Sequence, residues 1–575
     1  MLHARSRRMP SARVPRVLLA AAGLLALTAS ANSAYAAGKL ALPLALDWKY
    51  TANRDGNNPA SPVADADTVY FASGDRMYAV DIASGAMKWR YPEDQPLSTR
   101  VRTTPVIVGD MLYAGAEDGK LYALQTANGH GKWLFDTRSQ VGSSPVAADG
   151  VLYFGSADGR VWAIDTRTGN EVPTWRGGYK AGDEVAAAPA VANGLVFVLS
   201  LDQVLHAVGA SSGKQRATVR LGGSVLGMAP VVYGDNVYVA VGATLYCFSS
   251  RNLSLRWTQM LPNDIACSPV VNEFGAYVVT RDSRLYSFES RLGRPRWKTA
   301  PKLEYDVLAA PAAVGDMLVV GTVLGAVYVI DGNTGASKWL YTTQPASTDP
   351  EALPTWTNVA ATPVVADDRL LVLSDDGSLA CFRTGALDSL PPDVTILEPE
   401  MGIVMNGNPP IRFEAKIADV GSGVNPATVR VLIDGDGIVR RPDGKDNDDK
   451  PGYYFDLRYA TVTYDTPEPT TAALVRPLPD GRHTVTISAA DWAGNMVNKT
   501  WSFTVDNSVA KRPRKKPTDQ MNNMGPGGMG GLRGGPGGGG SGMPGMGSGS
   551  GSGGRGSGRG SGRGGGGRNM GMGGG

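Results

Sequence analysis

Six aspartates crowd one short stretch in the C-terminal third of the chain, and carboxylate oxygens are the ligands that Ca²⁺ prefers. The series consists of Asp434, Asp436, Asp443, Asp446, Asp448 and Asp449. Its spacing does not match the EF-hand loop, and Lys445 and Lys450 interrupt it. The pattern therefore favours a solvated loop over a calcium site.

Thiol and imidazole groups are few and do not have the spacing of metal ligands. The cysteines are Cys247, Cys267 and Cys381. Each lies in or beside an apolar run, and three thiols cannot all pair with one another, so we expect buried free thiols. The histidines after residue 36 are His130, His206 and His483, and we expect His206 to be a packed side chain. The sequence predicts no catalytic residue, no bound metal and no cofactor.

A repeated unit organises the part of the chain that would position these groups. A small residue followed by proline and an apolar residue recurs eight times, at Pro62, Pro105, Pro145, Pro189, Pro230, Pro269, Pro311 and Pro363. The intervals of 39 to 52 residues are typical of four-stranded propeller blades. Between the apolar runs lie hairpin signals such as Asp118-Gly119 and Asp158-Gly159, because glycine accepts the positive φ of a tight turn.

Tryptophans recur near the end of most units, usually four residues after a glycine. We expect seven of them to dock neighbouring blades: Trp48, Trp89, Trp133, Trp175, Trp257, Trp297 and Trp339. Trp175 comes two residues late, and unit four has Ala217 in place of the ring. Unit eight ends at Gly385 without a fourth strand, whereas an extra strand with Trp48 precedes unit one. The N-terminal strand is therefore predicted to complete the last blade and close the ring.

Two stretches, Ala79-x-Asp81-x-x-Ser84-Gly85-x-x-x-Trp89 and Val329-x-Asp331-x-x-Thr334-Gly335-x-x-x-Trp339, resemble the tryptophan-docking motif of the PQQ-like repeat family. The resemblance covers residues 42–386 and implies a β-propeller. That family includes quinoprotein dehydrogenases, the outer-membrane assembly lipoprotein and many uncharacterised exported proteins. For the dehydrogenases the resemblance implies a quinone and Ca²⁺ held over the axis by an acid, an amide and an aspartate base.

The residue pairs that enter the innermost strands decide against that enzyme, because none of them is charged. The pairs are Ala60-Ser61, Thr103-Thr104, Ser143-Ser144, Ala187-Ala188, Met228-Ala229, Cys267-Ser268, Ala309-Ala310 and Ala361-Thr362. Small side chains are what crowding at the inner edge of a blade requires. We therefore predict a non-catalytic binding or envelope scaffold protein, with a PQQ-dependent quinoprotein dehydrogenase as the alternative.

The longest interval between units predicts where a partner binds. It comes from residues 343–357, which carry Asp349, Glu351 and Trp356. An exposed aromatic side chain among acids suits an interface, and a solvated loop with the indole packed on its blade is the other interpretation. The expected partner is an unidentified envelope or extracellular protein.

The first 36 residues have the composition of a secretory signal peptide. Five arginines precede the apolar run 17–29, and Ala34-Tyr35-Ala36 forms a small-residue cleavage motif. The run is shorter than the roughly 20 residues of a spanning helix. The sequence therefore predicts an exported protein, whether periplasmic, cell-surface or secreted, with no transmembrane segment after cleavage.

Composition divides the remainder into three parts. Residues 37–389 carry the eight-bladed propeller, and residues 390–506 have short alternating strands that predict a β-sandwich. The motifs 418–424 and 490–495 resemble bacterial immunoglobulin-like modules. Residues 507–575 are rich in Gly, Ser, Met and Arg, with ten basic residues against one acid, and are predicted to be a disordered tail. The tail is expected to serve as a tether or to contact an anionic polymer or lipid. The predicted fold class is all-β.

Overall fold

A computed structural model describes residues 40–52, 60–225, 228–342, 357–385, 388–441, 452–457, 459–467 and 477–511. These residues form strands and three short 3-10 helices, at Pro173–Trp175, Val323–Gly325 and Pro426–Thr428. Among them, no helix has the length and hydropathy needed to cross a bilayer. All belong to one compact unit, Met1–Arg512; the second unit, Pro513–Gly575, lies outside the described residues.

Eight antiparallel sheets follow one another between Leu44 and Thr384, and we number them by the repeat unit that supplies most of their strands. The first strand, β1, is Leu44–Thr51. Sheets one to four then consist of β2–β5 (Val63–Ala64, Thr68–Ser73, Arg76–Asp81, Met87–Tyr91), β6–β9 (Val106–Val108, Met111–Gly115, Lys120–Gln125, Gly131–Asp136), β10–β13 (Val146–Ala148, Val151–Gly155, Arg160–Asp165, Tyr179–Lys180) and β14–β17 (Ala190–Ala192, Leu195–Leu199, Val204–Gly209, Gln215–Arg220).

The later sheets continue the pattern. Sheets five to eight consist of β18–β21 (Val231–Tyr233, Asn236–Val241, Thr244–Ser249, Leu255–Met260), β22–β24 (Val270–Val271, Ala276–Val279, Leu285–Phe288), β25–β28 (Ala312–Val314, Met317–Gly321, Ala326–Asp331, Ser337–Thr342) and β29–β31 (Val364–Ala366, Arg369–Leu373, Ser378–Thr384) with β1. The predicted all-β, propeller-type fold is confirmed. The number of eight blades stays a prediction.

Burial along each sheet shows how the repeat makes its core. In sheet two every residue of β7 is buried, whereas residues of the outer strand β9 alternate between exposed and half-buried. Gly119 turns β7 into β8 with φ +84°, and Asp118 accepts the amide of Lys120 there. The middle strands are therefore apolar on both faces because a neighbouring sheet packs on each side.

The strand order gives the sheets two distinct ends. Turns between first and second strands, such as residue 149, lie at one end, together with turns between third and fourth strands. Turns between second and third strands lie at the other end, where the chain also crosses to the next sheet, as at residue 183. We call this second end the connection face. Residues 343–356, which join β28 to sheet eight in the sequence, lie outside the described residues.

The ring closes as the sequence predicted, since β1 pairs antiparallel with β31 along Leu44–Thr51. One ion pair strengthens this closure. Arg369 on β30 donates to Asp47 at 2.9 Å and to the Ile82 carbonyl of sheet one at 2.7 Å. The two charged side chains are only 14% and 24% exposed. N-terminal and C-terminal strands of the propeller are thus joined by main-chain and side-chain bonds.

Replacing Arg369 tests the closure. Arg369→Met leaves the partly buried Asp47 carboxylate without its charged partner, although the Ile82 carbonyl keeps the Trp48 indole N–H, so we expect a loss of about 1–3 kcal/mol in unfolding free energy. The matched control is Arg251→Met, since Arg251 pairs with Asp235 while 70% exposed; that change should cost less than about 0.5 kcal/mol. Urea denaturation of both variants checks the prediction, and similar losses in the two would contradict it.

Two outer strands differ from the expected four-strand unit. Sheet six has three strands among the described residues, and Trp297 lies beyond them, flanked by Pro295 and Pro301. Proline has no N–H to donate to a ladder, so only isolated bridges form there. In sheet three Trp175 belongs to a 3-10 helix and not to the outer strand. This 3-10 helix explains why Trp175 comes two residues later in its unit than the other tryptophans do.

The C-terminal segment, which we define as residues 390–506, forms two further sheets. One contains β32, β34, β38 and β37 (Asp393–Glu398, Arg412–Ala418, Thr461–Asp465, Tyr454–Asp456). The other contains β33, β40, β39, β35 and β36 (Val404–Met405, Met496–Val505, Gly481–Ala490, Arg430–Ile433, Asp436–Ile438). Their inward residues share one apolar core, with Trp501 and Phe503 among the largest. The immunoglobulin-like assignment and the boundaries at 389/390 and 506/507 stay predictions.

Candidate interaction surfaces and the propeller hub

The seven expected docking tryptophans all reach a backbone carbonyl outside their own sheet. Their indole N–H groups donate to Ile82 (Trp48), Thr126 (Trp89), Thr166 (Trp133), Ala210 (Trp175), Ser290 (Trp257), Gly332 and Asn333 (Trp297) and Ser422 (Trp339). In six cases the acceptor belongs to the next repeat unit. The exception is Trp339, whose acceptor lies in the C-terminal segment.

A glycine with positive φ lies against each of the six rings that dock on the next unit. The glycines are Gly85, Gly129, Gly169, Gly213, Gly293 and Gly335. A Cβ added to any of them would come within about 3.3 Å of the neighbouring ring or of the backbone beside it. Both the left-handed backbone and the close approach therefore require glycine.

The hub of the propeller is lined by small residues whose hydroxyls join neighbouring sheets. The Thr362 amide donates to Ser61 Oγ at 2.9 Å, the Ser61 amide to Thr104 Oγ1 at 3.0 Å, and the Thr104 amide to Ser144 Oγ at 2.9 Å. The Ala229 amide likewise donates to Ser268 Oγ at 2.9 Å. Each hydroxyl thus bonds a backbone amide of the preceding sheet. In the sequence, packing alone explains these small residues, and nothing there predicts that their hydroxyls accept hydrogen bonds from the neighbouring sheet.

This set of groups does not fit a quinone with Ca²⁺. The named hub pairs contain no carboxylate or amide side chain, and a hard cation takes about six to eight oxygen ligands. The hydroxyls of Ser61, Thr104 and Ser144 already accept hydrogen bonds from amides. The hydroxyls of Ser61, Thr104 and Ser144 are therefore engaged in joining neighbouring sheets.

His206 belongs to a partly buried chain of hydrogen bonds that has the composition of a catalytic relay. Its ring nitrogens lie 3.0 Å from Tyr179 Oη and 3.2 Å from Ser200 Oγ, and Ser200 also bonds Asp202. Ser200 is fully buried. Burial lowers the pKa of His206, which favours the neutral ring.

The same bonds occur in sheet three without a histidine. Ser156 bonds Asp158, and it accepts the indole N–H of Trp162 at 3.0 Å. Ser156 and Ser200 occupy the same turn of successive units, and so do Trp162 and His206 on the following strand. The chain around His206 is therefore a turn of the repeat, and an inaccessible Ser200 is no nucleophile.

The three cysteines are buried and unpaired with one another. Burial raises the pKa of each thiol to about 12. A thiolate is the reactive form, so these side chains are unreactive at neutral pH.

The predicted partner residues Asp349, Glu351 and Trp356 lie outside the described residues. Within the aspartate-rich stretch, Asp443, Asp446, Asp448 and Asp449 also lie outside them. Asp434 is described, and it contacts His483 at 2.6 Å. Burial opposes the charged ring, but the bonds to Asp434 and to the Pro479 carbonyl raise the pKa of His483. This pair holds two parts of the C-terminal segment together.

Three carboxylates meet where the C-terminal segment faces the propeller. Oxygens of Asp388, Asp419 and Asp491 lie within 4.8 Å of one another. Backbone amides already donate to each carboxylate: Ser422 to Asp388, Gly423 to Asp419, and Asn495 to Asp491. Carboxylates suit a hard cation. The amide hydrogen bonds explain the cluster in another way, because they hold the backbone of a loop in place.

The ionisation of Asp419 should make the stability of the chain depend on pH. Burial, together with the charges of Asp388 and Asp491, raises the pKa of Asp419 to about 6, although the hydrogen bond from the Gly423 amide opposes the shift. A carboxyl group whose folded pKa lies above its unfolded value stabilises most when protonated, and this contribution is lost as the pH rises through about 6.

Asp419→Asn stays neutral at every pH and can still accept the Gly423 amide. We therefore expect the free energy of unfolding of this variant to exceed that of the wild type by about 1–2 kcal/mol at pH 7.5, with the difference vanishing near pH 4. Asp436→Asn, on the exposed edge of the same segment, should show no such pH-dependent gain. Thermal unfolding across this pH range measures the effect. An equal gain for Asp419→Asn at both pH values would disprove the assignment.

The sheets, docking tryptophans and hub together define a PQQ-like repeat β-propeller protein. The family model described as outer membrane protein assembly factor BamB matches residues 45–134, 119–176, 173–241 and 202–388. These segments cover more than half of the chain, which therefore belongs to that family.

One curated relative is similar over part of the propeller. It is an outer membrane protein assembly factor BamB from Shewanella oneidensis, 26% identical over 156 residues, or 27% of this chain. The chain spans only 35% of the length of that relative.

Two solved structures are similar at low identity. BamB from Moraxella catarrhalis is 18% identical with a TM-score of 0.47, and the alignment covers 61% of this chain and all of that one. Quinohemoprotein alcohol dehydrogenase from Comamonas testosteroni is 14% identical with a TM-score of 0.48, covering 64% of this chain and 81% of that one. At these TM-scores neither likeness bears on function.

Proposed function

We propose that the chain is an exported, non-catalytic scaffold of the cell envelope that holds a protein partner on the connection face of its propeller. The observation that carries the proposal is the hub. Its uncharged hydroxyls accept amide hydrogen bonds between sheets, which supports a rigid ring, and none of the eight named hub pairs carries a charged side chain.

A rigid ring suits a scaffold because it fixes the loops that a partner contacts. Docked tryptophans join the sheets at the rim, and the hydroxyl bonds join several of them at the hub. Crossings to the next sheet lie on the connection face, as at residues 181–189 after β13, and we expect the longest one, 343–357, to lie there too. This longest crossing contains Asp349, Glu351 and Trp356, whose acidic and aromatic side chains suit a basic or amphipathic partner surface.

The family supports an envelope setting for this scaffold. Its description names an outer membrane protein assembly factor, and the signal-like residues 1–36 agree with export. We therefore place the partner among envelope proteins and expect the basic tail, 507–575, to tether the complex to an anionic polymer or lipid.

Site-specific photo-crosslinking in the source cell envelope tests the proposal. A photoreactive residue replaces Asp183 on the connection face or Asp149 at the opposite end of the sheets, both exposed. We expect one discrete protein adduct from position 183 and none from position 149. Equal adducts from both positions, or none from either, would contradict binding on the connection face.

An activity assay addresses catalysis separately. The purified chain is supplied with PQQ and Ca²⁺, and reduction of an electron-accepting dye is followed with alcohols and sugars. We expect no turnover above that of free PQQ. Saturable dye reduction would establish the dehydrogenase and refute the non-catalytic assignment.

A further inference from the structure

The junction between sheets seven and eight is docked differently from its neighbours. In β1 and β5 the tryptophan donates to a carbonyl in the turn that follows the third strand of the next unit, as Trp48 does to Ile82. Trp339 is completely buried, and its indole N–H instead donates at 3.1 Å to Ser422, which lies 83 residues further along the chain. A loop of the C-terminal segment thus occupies the place of a repeat turn.

The same loop touches both sheets at this junction. On sheet seven, Tyr341 Oη donates to the Val420 carbonyl at 3.2 Å. On sheet eight, the Leu46 amide of β1 donates to the Gly421 carbonyl at 3.1 Å. Three successive carbonyls, from residue 420 to residue 422, therefore accept hydrogen bonds from the propeller. The loop bridges the outer strands of two sheets.

A second loop of the C-terminal segment reinforces the contact. The indole N–H of Trp492 donates to the Leu340 carbonyl at 2.9 Å. Its ring packs against the apolar cluster that sheet seven shares with sheet eight and against the one that it shares with sheet six. Asn495 donates to the carbonyl of Asp388 in the connecting residues. These bonds tie the two loops to the segment that follows β31.

The approach is too close to admit a side chain at Gly423. This residue has φ +85°, and an added Cβ would lie 3.0 Å from Tyr341 Cδ2 and 3.2 Å from the Leu340 carbonyl. Ser422 is fully buried. Asp388 and Asp419 hold the amides of Ser422 and Gly423, respectively. The loop is therefore packed against the propeller on one side and hydrogen-bonded to its own segment on the other.

We propose that residues 419–423, together with Trp492, form a clamp that closes the last seam of the propeller. The C-terminal segment is then part of ring closure, and its release and the opening of the seam between sheets seven and eight are one event. This inference concerns the fold and does not rest on the scaffold function, whose crosslinking test it leaves unaffected.

Hydrogen exchange on the full chain tests the clamp. Gly423→Val forces a branched side chain into Tyr341 and Leu340, whereas Gly435→Val is the matched control, since Gly435 has φ +89° and open space around it. For Gly423→Val we expect exchange to speed up by about tenfold or more in residues 44–51 and 337–342. Exchange in residues 111–125 of sheet two should match that of Gly435→Val.

Trp492→Phe provides a milder second variant that keeps a smaller aromatic ring and removes the donor to Leu340. We expect exchange in residues 337–342 and 44–51 to rise about fivefold. Exchange that rises in 337–342 alone, or that equals the wild type in both segments, would overturn the clamp. A uniform rise over all sheets in both glycine variants would overturn it as well.

Discussion

Gly129→Val is expected to lower the free energy of unfolding by about 3–5 kcal/mol, because the new side chain would occupy the place of the Trp89 ring. An added Cβ at Gly129 lies only 2.6 Å from Trp89 Cε3 and 2.7 Å from Cδ2. Trp89 is 7% exposed and packs beside Tyr70. The ring can neither move outward without losing its bond to Thr126 nor move inward through the core.

The matched control for this effect is Gly109→Val in the same repeat unit. Gly109 also has positive φ, at +60°, but nothing lies within 4 Å of an added Cβ. This variant bears only the cost of a branched residue in the left-handed region, about 1–2 kcal/mol. Urea denaturation followed by tryptophan fluorescence measures both. Equal losses would show that the backbone conformation, and not the docked ring, demands glycine at position 129.

The sequence predicted the docking tryptophans, because tryptophan is rare and usually follows a glycine by four residues in each unit. It did not predict the pairs, since the glycine that contacts Trp89 is Gly129 of the next unit, whereas Gly85, four residues before Trp89, contacts Trp48. Ring closure followed from the same pattern, since one strand with Trp48 lacked a unit and one unit lacked a strand. Repetition therefore supplied long-range information that a single element does not carry.

The sequence did not predict several contacts between separate parts of the chain. Trp339 was expected to dock in the same way as its relatives, but its acceptor, Ser422, lies in a segment of different composition. The hub hydroxyls are common residue types, and their bonds depend on how sheets are oriented about the axis. The outer strand of sheet six was expected from Trp297, yet prolines on either side prevent a regular ladder. The first two features depend on three-dimensional placement and have no local signal, whereas the prolines that interrupt the outer strand of sheet six are visible in the sequence.

The junction between sheets four and five is the place where the docking pair is absent on both sides. Ala217 lies opposite Ala207, as Trp257 lies opposite Cys247 in the next sheet. Leu253 occupies the glycine position of unit five, with φ +55° and the same amide bond back to the residue four positions earlier. Leu253 is 4% exposed and shares a core cluster against which Ala217 packs. The leucine side chain therefore fills the space that a tryptophan ring fills elsewhere.

Restoring the glycine–tryptophan pair in two steps tests whether Leu253 fills the space of the tryptophan ring. Ala217→Trp alone brings a ring into the leucine and is expected to cost about 2–4 kcal/mol. Leu253→Gly alone empties the site and is expected to cost about 2–4 kcal/mol, less the strain relieved at positive φ. The double variant recreates the arrangement of Gly129 with Trp89, so its stability should return to within about 1 kcal/mol of the wild type.

The decisive quantity is the coupling free energy of this double-mutant cycle, which we expect to exceed about 3 kcal/mol in favour of the pair. Ala217→Trp combined with Leu195→Ala, on a different strand of sheet four, serves as the control, because Leu195 does not occupy the glycine position and its loss should not relieve the clash. Additive losses in the Ala217→Trp/Leu253→Gly cycle would mean that the two positions do not share one space. The repeat would then have lost its tryptophan at this junction without replacing its volume.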